Sequence, residues 1–140
     1  MPIQLRELIE LLNKDLGLEY TAIVQYAQHS GVLTGAEYGD IIKEIKIHAN
    51  EELMHALILA QQIDYLGGFP SVNVPPAATS KDNREMLQQD LTAEEDAIAR
   101  YKRRVVQAEE LMELALAQKL REILSIEQEH AMDLKNALGK

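Results

Sequence analysis

Several residue types that often carry chemistry are absent or scarce in this sequence of 140 residues. It contains no Cys, which excludes disulfides, Cys-ligated zinc, iron–sulfur clusters and thiol catalysis together. It also contains no Trp, a single Phe and only four Pro. Any redox chemistry must therefore come from a bound metal or cofactor.

Acidic residues outnumber basic ones. The chain has 23 Asp and Glu and 14 Lys and Arg, which gives a net charge of −9. This balance argues against a nucleic-acid partner and suits a protein that attracts cations. The one tight basic run, residues 102–104, is expected to form a solvated helix face. There is no apolar run long enough to span a membrane and no signal-like start, which predicts a cytoplasmic protein without membrane contact.

Apolar residues recur at alternating steps of three and four over long stretches, which predicts an all-α chain. A chain of this length and composition is expected to form one domain over residues 1–140. Ser80 and Asp82 are the candidate N-caps of the third helix. With end errors of about 2–4 residues, helices are predicted over residues 3–33, 37–66, 80–107 and 110–138.

The segment 67–79 contains Pro70, Pro75 and Pro76 and has no helical period, which indicates a loop. Its roughly 13 residues reach about 43 Å when extended, and a helix of roughly 28 residues is about 42 Å long. The loop can therefore return the chain along the whole bundle. We predict a four-helix bundle with one long crossover between the second and third helices, and with short turns near 31–36 and Ala108.

A Glu-x-x-His pattern occurs twice, as Glu52 with His55 and as Glu127 with His130, near the middle of the second and fourth predicted helices. Residues three apart project from one helix face about one turn apart. Both side chains of each pair can therefore reach the same cation. Chance alone makes one such pattern unremarkable in a Glu-rich chain, but two at mid-helix are a stronger signal.

Each of the other two helices has one carboxylate near its centre in an otherwise mostly apolar stripe, Glu19 in the first and Glu94 in the third. Two Glu-x-x-His helices and two helices with a single Glu provide the donors of a dinuclear metal site in a bundle. The candidate metal ligands, which are also the candidate catalytic residues, are Glu19, Glu52, His55, Glu94, Glu127 and His130.

The charges of this donor set suit a pair of metal ions, because two divalent cations neutralise four carboxylates. Without metal, the carboxylates repel one another and are expected to take up protons. Oxygen donors with one imidazole per metal favour iron or manganese, and zinc can compete. The alternative is a hydrogen-bonded polar network that fixes helix register in a non-enzymatic helical assembly module.

Other polar residues near the predicted centre allow two interpretations. His48, one turn before the second-helix Glu, is either a further ligand or, more simply, a hydrogen-bonded histidine. Tyr26 and Tyr101 either pack in the core or act near the metals as hydrogen-bonding or redox-active groups. Asp90 is a candidate to orient a ligand histidine, and His29 is expected to be exposed.

The ferritin-like superfamily, and bacterioferritin within it, resembles this chain over nearly its whole length. The stretch 12–26 is similar to the first helix of bacterioferritin, and the stretches 90–94 and 123–130 are similar to its third and fourth helices. The resemblance implies that the six residues bind two iron ions per subunit, with Glu52 and Glu127 as bridging carboxylates. It also implies ferroxidase activity, in which dioxygen or peroxide oxidises Fe(II) for iron storage or detoxification.

Three departures from this pattern qualify what the resemblance implies. Bacterioferritin binds haem through a methionine where this chain has Leu53, so no haem is expected. About ten residues follow His130, which leaves out a fifth helix and favours a homo-oligomer smaller than a 24-subunit shell. Rubrerythrin carries an extra Glu where this chain has Ala97. A rubrerythrin-like or manganese-catalase-like enzyme that removes peroxide stays as the alternative activity.

Overall fold

The computed structural model describes residues 2–140 and, within that range, has four α-helices and one short 3-10 helix. Every helix end lies within about four residues of its predicted position, so the all-α four-helix prediction is confirmed. The elements are α1 Leu5–Val32, the 3-10 helix Ala36–Tyr38, α2 Gly39–Tyr65, α3 Asn83–Glu110 and α4 Leu114–Leu138.

Two consecutive glycines end α2. Gly67 has a φ of 94°, and its N–H donates to Asp64 O over 3.0 Å. The N–H of Gly68 donates to Ile63 O over 2.9 Å, which completes a glycine-based helix stop. A Cβ at Gly68 would lie 2.5 Å from Ile9 Cγ2, so a larger residue here would require the Ile9 side chain to move.

The turn between α3 and α4 is made without Gly or Pro. Met112 adopts a left-handed conformation with φ 59°, and the N–H of Glu113 donates to Ala108 O over 2.9 Å. A non-glycine residue in this conformation is uncommon, so the sequence carries no marker for the turn. This explains why α3 extends to Glu110 rather than ending near Ala108 as predicted. At the other end of α3, Asp82 is the N-cap.

The segment between α2 and α3 runs along α1, parallel to it. Near its start, Asn13 Nδ2 donates to Phe69 O over 3.1 Å, and near its end His29 Nε2 donates to Ala78 O over 3.0 Å. Between these points, a Cβ at Gly17 would lie 2.9 Å from a backbone oxygen of the segment. The glycine thus allows close contact, and the predicted long crossover is confirmed.

Helix α1 packs mainly on α2, and α3 mainly on α4. Two clusters of buried apolar side chains fill the bundle, one towards each end. Leu12, Leu59 and Leu120 belong to one cluster, Ile45 and Leu134 belong to the other, and each is 0% exposed. Burying one such side chain stabilises the fold by about 1.5–3 kcal/mol. Within residues 2–140, no helix is long and apolar enough to cross a membrane.

Candidate metal centre

The six candidate ligands meet between the two apolar clusters, and none is more than 4% exposed. They form two overlapping groups, in each of which the potential donor atoms lie within 4.8 Å of one another. Two carboxylates, Glu52 and Glu127, belong to both groups. The first group is Glu19, Glu52, His55 and Glu127, and the second is Glu52, Glu94, Glu127 and His130.

The imidazole of His55 faces three carboxylates. Its Nδ1 atom lies 3.1 Å from Glu52 Oε1, 3.5 Å from Glu127 Oε1 and 3.7 Å from Glu19 Oε2. Although these distances are short, His55 Nδ1 has no hydrogen-bond partner of acceptable geometry. The ring nitrogen and the oxygens are thus close to one another without being paired.

His130 occupies the equivalent place in the second group. Its Nδ1 lies 3.2 Å from Glu94 Oε1, 3.3 Å from Glu127 Oε1 and 3.7 Å from Glu52 Oε1. Its Nε2 lies 3.1 Å from Glu51 Oε1, a carboxylate that is 34% exposed. The two Glu-x-x-His pairs therefore present their imidazoles to the same carboxylates from two sides.

Five potential donor atoms in this centre are buried and have no hydrogen-bond partner. Burying a polar atom without a partner costs about 1–3 kcal/mol. Such atoms are rare in folded proteins, and each requires an explanation. They are Glu19 Oε2, Glu52 Oε1, His55 Nδ1, Glu94 Oε2 and Glu127 Oε1.

The four carboxyl groups of the centre differ in their pKa values. Burial, reinforced by the charge of Glu127, raises the pKa of Glu94 to about 8. Burial also raises the pKa of Glu52 well above its usual range, and that of Glu19 to a lesser degree. Burial acts on Glu127 as well, but its close contacts with His130, Glu52 and His55 outweigh it and lower the pKa of Glu127. Protons therefore occupy part of the metal-free centre.

Two buried tyrosines hold in place the two carboxylates that belong to only one group each, Glu19 and Glu94. The hydroxyl of Tyr26 donates to Glu94 Oε1 over 2.7 Å, and the hydroxyl of Tyr101 donates to Glu19 Oε1 over 2.6 Å. Both tyrosines also belong to the apolar clusters, so core packing and hydrogen bonding, the two interpretations drawn from the sequence, both describe them. Each bond fixes one oxygen of its carboxylate, and the other oxygen, Oε2 in both residues, is buried without a partner.

Known proteins are similar to this chain over most of its length. The ferritin family model, described as a ferritin-like domain, matches residues 9–140. The bacterioferritin of Brucella melitensis biotype 1 is 32% identical over 133 residues, which is 94% of this chain and 83% of that protein. The chain belongs to the ferritin-like family.

Two solved structures are similar to this ferritin-like chain throughout. A crystal structure of ferritin-like, diiron-carboxylate proteins from Bacillus anthracis str. Ames has a TM-score of 0.93 and 33% identity, and the match covers 99% of each chain. The bacterioferritin-related protein of Bacteroides fragilis, a dodecameric thioferritin, has a TM-score of 0.90 and 28% identity. That match covers 98% of this chain and 87% of the relative.

His29 and Asp90 correct two predictions made from the sequence. His29 is 0% exposed rather than exposed, because the crossover covers it. Its Nδ1 lies 2.9 Å from Asp90 Oδ2, while Gln25 Nε2 donates to Asp90 Oδ1 over 2.8 Å. Asp90 therefore does not orient one of the candidate ligand histidines of this ferritin-like chain. It ties α3 to α1 beneath the crossover.

Arg104 corrects the prediction of a solvated basic face. Lys102 and Arg103 are exposed, but Arg104 is only 4% exposed. Its Nε donates to Asp15 Oδ2 over 2.8 Å, and Arg100 Nη1 donates to Asp15 Oδ1 over 2.7 Å. The sequence analysis did not identify this ion network. A signal for it exists, because Asp15 lies one turn before Glu19 on the inward face of α1.

A cavity of about 400 Å³ lies between α1 and α3 beneath the crossover and reaches the centre. The side chains of Ala22, Ala93 and Ala97 line its walls, and carboxylates of the centre, including Glu19 and Glu94, lie along it. The small side chains leave space for a molecule the size of dioxygen or peroxide. This chain thus has an opening from its surface to the carboxylates.

Proposed function

We propose that this ferritin-like chain binds two Fe(II) ions per subunit at Glu19, Glu52, His55, Glu94, Glu127 and His130, and oxidises them with dioxygen or peroxide as a ferroxidase. The observation that carries the proposal is the set of five buried donor atoms without hydrogen-bond partners. Two divalent cations between the helices would satisfy all five and neutralise the carboxylates. A network that served only to fix helix register would have to leave them unsatisfied.

The donor chemistry supports iron or manganese over zinc. Each group offers three carboxylates and one imidazole, and two carboxylates are common to both groups. Oxygen-rich sites with one imidazole suit iron and manganese, whereas structural zinc sites favour Cys and His. Glu52 and Glu127, as the shared carboxylates, would bridge the two ions.

The protein's own contribution is to hold the donors, accept and release protons, and exclude water. Bound Fe(II) supplies the electrons that reduce the oxidant. Tyr26 and Tyr101 orient Glu94 and Glu19, and the protonated carboxylates lose their protons when cations bind. The cavity between α1 and α3 supports access of a small oxidant, and the apolar clusters on both sides keep bulk water out.

A pair of adjacent residues provides the test. In Glu94→Gln the centre loses a charged donor, whereas in Glu95→Gln an exposed neighbour on the same helix is changed in the same way. Fe(II) is loaded without oxygen, dioxygen or hydrogen peroxide is then mixed in, and ferric absorbance is followed. We expect Glu94→Gln to oxidise Fe(II) at least about 100-fold more slowly than Glu95→Gln. Equal rates in the two variants would show that the ligand assignment is wrong.

The same measurement separates the competing activities. A ferroxidase leaves ferric product in proportion to the iron added, whereas a rubrerythrin-like or manganese-catalase-like enzyme removes peroxide repeatedly. A helical assembly module without enzymatic activity would hold no metal. About two iron or manganese ions per chain in protein purified without added metal would exclude that alternative.

We also propose that residues 1–140 act as one domain of a cytoplasmic homo-oligomer. The dodecameric assembly of the Bacteroides fragilis relative supports oligomer formation. Storage of a mineral requires a closed shell, whereas oxidation alone does not. Sedimentation of the purified protein, before and after iron loading, distinguishes a shell from a smaller oligomer such as a dimer.

A further inference from the structure

The crossover is fastened to the bundle at Ala78 through both backbone polar groups of this residue. Its N–H donates to Gln25 Oε1 over 2.9 Å, and its carbonyl oxygen accepts a hydrogen bond from His29 Nε2 over 3.0 Å. One carboxylate of α3 holds both partners, because Gln25 Nε2 donates to Asp90 Oδ1 over 2.8 Å and His29 Nδ1 lies 2.9 Å from the Asp90 carboxylate. We call these four residues the latch.

The hydrogen bonds of the latch require one proton more than a neutral imidazole and an ionised carboxylate carry together. The carbonyl of Ala78 can only accept, so Nε2 of His29 must carry a hydrogen. In a neutral ring Nδ1 is then an acceptor, and an ionised Asp90 can also only accept. Because two acceptors do not bond, the distance of 2.9 Å requires a proton between them, on the imidazole or on the carboxylate.

The latch is buried and contains none of the six candidate metal ligands. His29 is 0% exposed and Asp90 is 1% exposed. Burial raises the pKa of Asp90, although its hydrogen bond with His29 opposes this shift. On α1, Tyr26 stays protonated because burial raises its pKa, and on α2, His48, which packs on Tyr26, is neutral above pH 6 because burial lowers its pKa to about 4. Between pH 6 and 9, the proton between His29 and Asp90 is therefore the one whose loss would change the latch.

The latch borders the cavity between α1 and α3. Pro76 and Ala78 of the crossover line this cavity, and so do Gln25 and Asp90. The same cavity reaches Glu19 and Glu94 of the metal centre. Release of Ala78 would therefore free the part of the crossover that covers the way to the carboxylates.

We propose that the proton between His29 and Asp90 keeps the crossover closed over this cavity, and that loss of the proton at alkaline pH loosens the crossover and eases access to the centre. The part that concerns access rests on the proposed function, whereas the part that concerns the crossover does not. Without the proton, Nδ1 and the ionised carboxylate repel each other, so His29 cannot keep both of its contacts. The competing explanation is that the bonds from Asn13 and Thr21 to the crossover hold it equally well at every pH.

Asp90→Asn removes the titratable proton but can keep every hydrogen bond of the latch. The amide oxygen of Asn can accept from Gln25, and its amide nitrogen can donate to Nδ1 of a neutral His29. Asp96→Asn is the matched control, because Asp96 lies on α3 and lines the same cavity but is not part of the latch. Hydrogen exchange of the backbone amides between Pro76 and α3 is measured from pH 6 to pH 9, in chelator and with Zn(II). Thermal unfolding shows whether each variant is folded.

We expect the protection of these amides, corrected for the intrinsic exchange rate, to fall by at least about 10-fold from pH 6 to pH 9 in the unmodified chain and in Asp96→Asn. In Asp90→Asn the protection should stay constant over this range. The same pH dependence in all three proteins would overturn the proposal. Low protection in Asp90→Asn at every pH would also overturn it, because the charge of the carboxylate rather than the proton would then hold the crossover.

A second measurement uses the unmodified chain and does not depend on how the variants fold. Nitrogen-15 NMR of labelled histidine, with His29→Gln to assign the signals, reports which ring nitrogens carry hydrogen. We expect Nε2 of His29 to keep its hydrogen throughout, and the proton at Nδ1 to be lost over the pH range in which protection falls. A ring that carries hydrogen only at Nδ1 would contradict the arrangement of donors in the latch.

Access to the centre has its own readout. Each protein is loaded with Fe(II) without oxygen and mixed with hydrogen peroxide at pH 6 and at pH 8. We expect the ratio of the two oxidation rates, pH 8 to pH 6, to be larger in Asp96→Asn than in Asp90→Asn. Equal ratios would overturn the access part of the proposal. Absence of oxidation in every protein would count against the proposed function alone, since hydrogen exchange tests the latch.

Discussion

Two carboxylates one turn apart on α1 have opposite surroundings. Asp15 is 0% exposed, and its oxygens accept hydrogen bonds from Arg100 and Arg104 over 2.7 Å and 2.8 Å. Glu19 is 2% exposed, and one of its oxygens accepts a hydrogen bond from Tyr101, whereas the other has no partner. Both acids face α3 and differ only in their position along the α1–α3 pair. Asp15 is paired with two arginines, whereas Glu19 has no cation of that kind beside it among residues 2–140.

This difference indicates two uses of a buried charge. At Asp15 the compensating cations are part of the chain, and the ion pairs join α1 to α3 permanently. At Glu19 the compensation is incomplete within residues 2–140, and we propose that cations from solution supply it. Tyr101 lies next to both networks, because the Arg100 guanidinium is 5.5 Å from its ring centre.

The largest effect is expected from breaking the paired network. Asp15→Asn would leave Arg104 buried without its anion, a change that typically costs 3–5 kcal/mol. We expect a loss of about 3 kcal/mol in the free energy of unfolding with unchanged metal stoichiometry. The control is Asp96→Asn, since Asp96 is 61% exposed in its pair with Arg100 and is expected to contribute less than about 1 kcal/mol.

Urea unfolding and metal titration of both variants measure these effects. A loss of metal binding in Asp15→Asn without a loss of stability would reverse the roles assigned to the two acids.

Filling the unpaired network is expected to stabilise the protein. At a free metal concentration about 100 times the dissociation constant, one bound ion adds about 2.7 kcal/mol to the free energy of unfolding. In Glu52→Gln this gain should largely disappear, whereas the metal-free variant should be at least as stable as the unmodified protein. The reason is that burial and neighbouring carboxylates already disfavour the charged form of Glu52. Thermal unfolding with chelator or with Mn(II) measures both effects.

A Glu52→Gln variant that is unfolded without metal would contradict this prediction. Glu51→Gln, at the partly exposed neighbouring position, serves as the control for the change of charge on α2.

The stability of the metal-free protein is expected to fall as pH rises. Burial and the charge of Glu127 raise the pKa of Glu94 from 4.5 to about 8, so only the folded state holds this proton between those values. Burial lowers the pKa of His130, but Glu127 and Glu94 outweigh it and raise the pKa from 6.5 to about 11. In both cases the folded state binds more protons than the unfolded state, and stability declines with pH.

His48, which stacks on His130, opposes the trend below pH 6.5, because burial and the charge of His130 lower its pKa to about 4. The protons held by Glu94 and Glu52 over the same range outweigh it.

Tyr26 faces Glu94 and stays protonated because burial raises its pKa, and Glu51 contacts His130 from the surface. The lowered pKa of Glu127 affects stability only below pH 4.5. Melting temperatures at pH 5, 7 and 9 should fall in chelator and rise in Mn(II), because metal ions compete with protons. A metal-free melting temperature that rises over this range would contradict the protonated centre.

The smallest effect is expected at the residue between the two networks. Tyr101→Phe removes the hydrogen bond to Glu19, which should cost about 1 kcal/mol of stability. It should also weaken metal binding by about 10-fold, because Glu19 is no longer oriented. Tyr65→Phe is the control, since Tyr65 is 79% exposed. Calorimetric titration with Mn(II) that gives equal affinities for both variants would limit Tyr101 to packing.

Much of the bundle and the position of its centre could be predicted because their signals are local. Helix periodicity gave the four helices, and the prolines and glycines between residues 67 and 79 indicated the crossover. A Glu-x-x-His spacing places both side chains on one face wherever the helix lies. The structure brings the six predicted residues together, while their role as metal ligands stays a prediction.

Other features depended on contacts that no local pattern contains. His29 was predicted to be exposed, yet it is buried because the crossover passes over it. Arg104 was assigned to a solvated face, yet it reaches Asp15 on another helix. Asp90 was assigned to a ligand histidine, but its partner is decided by which helix face lies beneath the crossover.

The amino-acid sequence by itself determined the helices, the crossover and the level at which the candidate ligands lie, because each follows from spacing along one segment. Only the tertiary structure decided which buried charges are paired and which are left open. That outcome depends on the approach of side chains from different helices, such as Asp15 to Arg104 and Glu19 to Tyr101. At the surface, water stabilises a charged side chain. In the core there is no water to do so, and a neighbouring group must compensate the charge.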